Sequence, residues 1–311
     1  MANKQAASTG FVTEEEPISS PASDAIDIGQ MSVRSFQLQD IPRRLPIGFF
    51  VNGERLNQFD LLPYTTEHDL ILSKRNNEDL HITLGRFLPT IVRSIGGYTI
   101  PELAKELSTQ PERLIQQMPF ADAMAIVLNI RLDTVGTDVS LTDQCPRCNT
   151  KNEDSQDKGF HDLGQVDIGT IMTLHQPLVV SVELEDGFQE LGHTVKTILM
   201  KPMRLFQTSD KDLRTASDER AEILMMYKMI CGLPDVPEYE GVYSNLFSDG
   251  MYSRLTIGDR DKLITAARSL MKLGPKLIMG MDCEACGKIW EVLIPWRFLR
   301  VFLSESARTA K

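Results

Sequence analysis

From Leu45 the chain carries two short apolar runs, LPIGFFV and RLNQFDLLP, separated by Asn52-Gly53. An Asn-Gly pair between such runs supplies the left-handed positions of a tight hairpin turn. The pattern therefore predicts a β-hairpin whose second strand covers about Leu56 to Pro63. Thr65-Thr66 then leads into a short helix from Glu67, with Thr66 as its cap. Over residues 78–134 the apolar positions shift to helical spacing. Leu84, Phe87, Leu88, Ile91 and Val92 form one stripe before Gly96-Gly97 closes it, and Pro89 within that run is expected to kink or split the helix. Ile100-Pro101-Glu102-Leu103 opens a small helix with Pro in its first turn. In PFADAMAIVLNIRLDTVG, the residues Phe120, Met124, Val127, Leu128, Arg131 and Leu132 make one face of a longer helix that stops at Gly136. A strand-like TDVSLT follows and delivers Cys145.

The second half begins with a polar stretch, NTKNEDSQDKG, expected to be a loop. Two β-branched segments, VDIGTIMTLHQPLVVSVELEDG and HTVKTILMKPMR, are predicted strands. Ser217 stands where it can cap DERAEILMMYKMIC, with Gly232 as terminator, and a further helix runs from about Asp259 to Leu273 before Gly274. Near the end, a C-x-x-C turn lies between a short apolar strand and a strand bearing Trp290, Val292 and Ile294. In WRFLRVFL, the residues Phe298, Val301 and Phe302 fall at helical spacing after Pro295, so this segment is a short helix or a strand, packed in the core or facing a partner. No internal repeat is found. Strand-like and helix-like segments that come in separate runs give an α+β fold class.

Residues 1–40 are rich in Ser, Ala, Gln and acids and predict a flexible N-terminal arm, too poor in apolar surface to offset its ordering entropy. With 33 Lys+Arg against 43 Asp+Glu the chain is acidic, so binding through phosphates would need a local basic patch. Lys201, Arg204, Lys211 and Arg214 are only loosely clustered, with sparse aromatic interleaving. No secretory leader and no membrane span is found, which points to a reducing cytosol.

In such a compartment paired C-x-x-C motifs bind metals or act in redox chemistry more often than they form structural disulfides. Cys145-Pro-Arg-Cys148 and Cys283-Glu-Ala-Cys286 are separated by 134 residues. Each resembles a zinc knuckle, two thiolates from one tight turn, with the residue after the second Cys suited to the turn. Ribbon halves usually lie about 15–20 residues apart, but the cost of closing a longer loop rises slowly with length. His161 could complete the first pair; no His follows Cys286, so the second pair needs the first. The expected site is one structural Zn2+ held by Cys145, Cys148, Cys283 and Cys286, without the vacancy that a catalytic zinc keeps. Cys231, in an apolar run, is expected to be a core thiol.

No catalytic constellation accompanies this site. The histidines His68, His81, His161, His175 and His193 show no i, i+4 pair, and Gly96-Gly97 belongs to no phosphate loop. Asp122 with Asp133, and Glu183 with Glu185, are expected to be solvated faces or hairpin edges. The chain is therefore expected not to be an enzyme.

Taken in order, RRLPIGFF, DLLPYTTEHDLIL, LNIRLDTVGTD, CPRC and CEACGKIWEVLIPWRFLRVFL resemble the tail baseplate-hub proteins of contractile-tailed bacteriophages, the family of the T-even-type hub subunit. The resemblance rests on Leu45, Pro46 and Gly48 in the hairpin, Glu67 at a helix start, Arg131 and Gly136 at a helix close, and the two cysteine pairs. It covers residues 41–150 and the last 30, while family members are shorter and 152–280 lies outside it. An insertion between the zinc halves accounts for both differences. The resemblance implies a structural virion protein of the tail, made in the host cytoplasm, whose partners are other baseplate and hub proteins and the tape-measure protein. A homo-oligomer is compatible with that role; nucleic acid and a membrane span are not expected. The alternatives are a tail assembly chaperone absent from the mature particle and a zinc-ribbon nucleic-acid-binding factor. The implied organisation is an arm (1–40), a core hub domain with the knuckles (41–150 and 281–311) and an inserted α+β domain (151–280).

Overall fold

The computed structural model describes residues 43–73, 79–136, 142–153, 174–240, 246–276 and 278–293, with short strands at 26–27, 33–34, 138–139, 161–162 and 170–171. It is a mixed α+β fold. Two strands come from within residues 1–40: β1 (Ile26–Asp27) and β2 (Val33–Arg34). The predicted hairpin is β3 (Arg44–Val51) and β4 (Glu54–Leu61), turning through Asn52 and Gly53 at φ 52° and 79°. Next come α1 (Thr66–Ser73), α2 (Leu80–Ile91) and β5 (Val92–Ile95), which joins the hairpin in the order β3-β4-β5. Helices α3 (Ile100–Glu106), α4 (Pro111–Gln117) and α5 (Phe120–Val135) complete this part.

Five short strands follow: β6 (Asp138–Val139), β7 (Thr142–Gln144), β8 (Lys151–Glu153), β9 (His161–Asp162) and β10 (Thr170–Ile171). A second long hairpin is formed by β11 (Val180–Glu190) and β12 (His193–Met200). Then α6 (Lys211–Thr215) and α7 (Asp218–Met229) precede β13 (Ile230–Gly232), and α8 (Asp249–Arg254) precedes α9 (Ile257–Met271). The described chain closes with β14 (Ile278–Asp282) and β15 (Ile289–Leu293). The second sheet has the order β1-β11-β12-β13, β1 adding in parallel with Ile26 opposite Val180. The β2 strand pairs with β10. The order of long hairpin, helices, third strand, helices and cysteine hairpin thus occurs twice, although no repeat is legible in the sequence.

Two hydrophobic cores underlie the two sheets. One gathers Leu45, Phe59, Phe87, Leu88, Ile95, Ile115 and Ile126 and reaches across the chain to Leu205 and Met281. The other gathers Val180, Val195, Ile198, Met226, Ile230, Leu263 and Ala267, and takes in Ile47 and Ala121. The seam between them is also hydrogen bonded: Phe120 N donates to Met203 O at 2.8 Å and Leu205 N to Met118 O at 2.9 Å.

Several expectations need correcting. Pro89 does not split α2, which runs unbroken from Leu80 to Ile91 before β5 begins three residues after the proline. Val92 does not extend that helix; it begins β5. Residues 121–131 of α5 are buried on every side rather than along one face. A helix packed all round needs no polar stripe. Cys231 is buried as expected but sits in β13, since α7 ends at Met229. Ser217 precedes α7 without making a side-chain cap. Part of the expected loop after Cys148 is strand β8, paired with β7. Ile294 and the segment WRFLRVFL lie outside the described residues.

The expectation of a solvated face fails at Asp122. This side chain is fully buried, and its two oxygens accept from Ile47 N and Gly48 N, both at 2.8 Å. Those amides belong to an irregular stretch of β3 between Arg44 and Phe49, where Gly48 takes φ 83°. A bulge leaves its amides outside the ladder, and buried amides need acceptors. Asp122 supplies them. Asp133 is exposed and pairs with Arg43, while Glu183 and Glu185 lie on a hairpin edge, so these three follow the expectation.

Candidate metal centre

Each C-x-x-C pair occupies the tip of a short hairpin. In the first, β7 and β8 pair with Gln144 opposite Lys151; in the second, β14 and β15 pair with Asp282 opposite Ile289. Both turns close in the same way. Cys145 N donates to Thr150 O at 3.0 Å and Asn149 N to Cys145 O at 2.9 Å. Cys283 N donates to Lys288 O at 2.9 Å and Gly287 N to Cys283 O at 2.8 Å. The residue after the second cysteine is left-handed in each case, Asn149 at φ 58° and Gly287 at φ 67°. Asn tolerates this conformation through its short polar side chain and Gly through its missing Cβ.

The two hairpins face each other although 134 residues of sequence separate the pairs. Cys145 Sγ lies 3.6 Å from Cys286 Sγ, Cys148 Sγ lies 3.4 Å from Cys283 Sγ, and all four sulfurs lie within 4.8 Å of one another. A tetrahedron with metal–sulfur bonds of about 2.3 Å has sulfur–sulfur edges of about 3.8 Å, so the four can hold one metal ion. All four thiols are free, and none of these separations is a covalent bond. Trp290, from β15, reaches across and donates its Nε1–H to Asp143 Oδ2 at 3.0 Å, tying one hairpin to the other.

Electrostatics at the cluster reflect four acidic thiols sharing one space. Hydrogen bonding with the Thr150 side chain and backbone, and with Cys283, brings Cys148 down to about 6. At Cys286 a backbone hydrogen bond from Lys288 favours the thiolate, but burial and the three neighbouring cysteines outweigh it and push the group up to about 12. Four thiolates repel one another unless a cation lies between them. In each pair the first cysteine is buried, whereas Cys148 is exposed and Cys286 half-buried.

Among the described residues no histidine joins the cluster. His161 lies in β9, paired with Val139. His68 is buried, its Nδ1 bonded to Thr65 N at 2.9 Å, and His81 Nδ1 meets Ser209 Oγ at 2.7 Å. These are structural positions. Among the described residues this is the one His, Cys, Asp or Glu cluster with metal-binding geometry. Of the loosely basic group, Lys201 is buried and its amide is bonded to Met229 O. No described helix is long and apolar enough to cross a membrane.

The sequence found all four cysteines, because C-x-x-C is a local signal. It missed Asp122 and Asp259, whose roles depend on strands far away in sequence. Asp259 repeats the arrangement of Asp122. Its carboxylate accepts from Glu185 N (2.7 Å), Asp186 N (3.2 Å) and Gly187 N (2.9 Å), in the irregular stretch of β11 between Glu183 and Phe188. A signal was present in the form of an acid at the third position of a helix, but that is more often a solvated dipole partner.

Comparison with known proteins finds no match: no family profile fits the chain, and no curated protein or solved structure is similar to it.

Proposed function

We propose that this chain is a structural subunit of a contractile phage tail, built into the baseplate or hub, and that its cysteines hold one zinc ion. The observation that carries the structural reading is the closed set of four sulfurs. Four thiolates fill a tetrahedral zinc, leaving no position for water or substrate. Such a metal stabilises an arrangement of chain and turns nothing over. The tail assignment is supported by the resemblance of residues 41–150 and the C-terminal segment to baseplate-hub proteins. On this reading the partners are neighbouring baseplate and hub proteins and the tape-measure protein, met in the virion tail after synthesis in the host cytoplasm.

Mass spectrometry of purified intact particles tests the assignment. The chain is expected among the tail proteins in stoichiometric amount. Its presence in infected cells but absence from particles would favour an assembly chaperone instead, and absence from both the particle and its assembly intermediates would sink the tail reading. A salt-sensitive shift of a labelled oligonucleotide would favour the nucleic-acid reading, against which the buried Lys201 and the acidic balance argue.

A further inference from the structure

The two halves of the chain repeat one construction residue by residue. Gly48 and Gly187 both take positive φ, 83° and 70°, in the irregular stretch of a hairpin's first strand. Each hairpin turns through two successive left-handed residues, Asn52-Gly53 and Leu191-Gly192. The second strands end at Leu61 and Met200, each two residues before a proline, Pro63 and Pro202. Leu62 N then donates to Ile91 O at 2.7 Å, and Lys201 N to Met229 O at 2.8 Å. These acceptors are the last residues of α2 and α7, and each helix passes without a linker into the third strand of its sheet.

The correspondence continues to the metal. Helices α4 and α8 are followed by Met118 and Leu255, and the next helix starts two residues on. Its third residue is Asp122 in one case and Asp259 in the other, and each carboxylate returns to the bulge amides of its own half. A left-handed glycine then follows, Gly136 at φ 91° and Gly274 at φ 108°. Nine residues beyond each glycine stands the first cysteine of a C-x-x-C hairpin. Every one of these pairs is separated by 137 to 139 residues. A shared order of strands and helices could arise by chance; a constant spacing across special φ angles, crossing hydrogen bonds and buried carboxylates does not.

We propose that the chain is two copies of one module, 43–153 and 180–293, and that the four-cysteine centre is a metal junction between them, one C-x-x-C arm from each. The sulfur geometry carries the same signature. Exchanging equivalent residues, Cys145 with Cys283 and Cys148 with Cys286, turns the 3.6 Å contact into the 3.4 Å contact, as a local twofold axis through the metal requires. Residues between the cysteine pairs are then not an insert whose ends the metal holds together. They are a linker and a twin whose sheet lies on the second core. The metal joins the two cysteine arms beside a seam that the modules already share through Leu205, Met281, Ile47 and Ala121, while each module's bulge is held by its own buried aspartate. This inference rests on the four cysteines forming one metal centre and is independent of the tail assignment.

Hydrogen exchange on the full-length, zinc-loaded protein tests it, using two double variants, Cys145→Ser with Cys148→Ser and Cys283→Ser with Cys286→Ser. Either variant is expected to lose the metal and to lose protection in both cysteine hairpins, 142–153 and 278–293. The bulge amides of Ile47, Gly48, Glu185 and Gly187 should keep their protection to within about threefold in both variants. Selective loss over 180–276 with 44–132 spared would show an insert held shut by metal and would overturn the proposal. So would loss across both halves, or wild-type protein that binds no zinc. A second arm leaves the metal in place: Asp122→Asn and Asp259→Asn should each weaken protection of its own bulge amides at least about tenfold and spare the other pair. Equal loss in both halves from either variant would overturn module independence. Failure to find the chain in particles would remove the tail reading and leave these outcomes standing.

Discussion

Asp122 and Asp259 show how one carboxylate in an interior can take either side of the balance between burial and hydrogen bonding. At Asp122 burial dominates and pushes the group up to about 7 from 3.8, against two backbone N–H groups and the nearby Arg55 guanidinium. At Asp259 burial acts in the same direction, but three backbone N–H groups and the Thr256 hydroxyl outweigh it and hold the group below its usual value. The consequences for stability have opposite sign. A raised folded value means that the native state binds more protons, so the Asp122 contribution is complete below about 4 and declines as pH rises towards 7. A lowered value means that the Asp259 contribution is complete above about 4 and is lost as pH falls through the folded value. Asn at either position keeps one acceptor and turns an NH2 group on a backbone N–H, costing about 1–3 kcal/mol. Urea midpoints measured from pH 3 to 8 should show the deficit of Asp122→Asn shrinking upward and that of Asp259→Asn shrinking downward. At the candidate metal centre, Cys283→Ser removes a buried sulfur ligand, and metal content per chain should fall with a lowered melting temperature. Unchanged metal and melting would refute the shared centre.

At the level of elements, what was legible followed local chemistry. Asn52-Gly53 announced its hairpin because both residues accept left-handed backbone, and the cysteine turns announced themselves in the same way through Asn149 and Gly287. The β11–β12 turn was harder to see because Leu191 takes φ 48° without any side-chain preference for it. Periodicity located α5 but placed its apolar residues on one face, since alanines count weakly in such a pattern while packing as tightly as the larger residues. The bulges were invisible for a different reason: their acceptors lie 74 and 72 residues away, at Asp122 for Gly48 and at Asp259 for Gly187. They can be tested by adding one methyl group. A Cβ on Gly187 would stand 2.1 Å from Val195 O, and one on Gly48 would stand 2.6 Å from Leu56 O, whereas one on Gly53 would meet nothing within 4 Å. Gly53→Ala should therefore cost about 1–2 kcal/mol of left-handed strain alone. Gly187→Ala and Gly48→Ala should cost clearly more, read as lower urea midpoints at unchanged slope.

At the scale of the whole molecule, α+β character was legible from the separate runs of strand and helix patterns, and the meeting of two cysteine pairs from the lack of a late histidine. The doubling of the architecture was not. Few side chains coincide between the halves, and the shared features are φ angles, chain-crossing hydrogen bonds and spacings that residue identity does not display. The indole of Trp290 now acquires a use. It hydrogen bonds to Asp143 on the opposite cysteine hairpin, so its environment depends on both arms being in place. Intrinsic emission should shift to the red, with faster quenching by iodide, when a strong chelator removes the metal, and zinc should restore it; Trp290→Phe should abolish most of that response. The chain thus carries its own optical gauge of metal occupancy, one that needs no added label and can be followed while the protein joins a larger assembly.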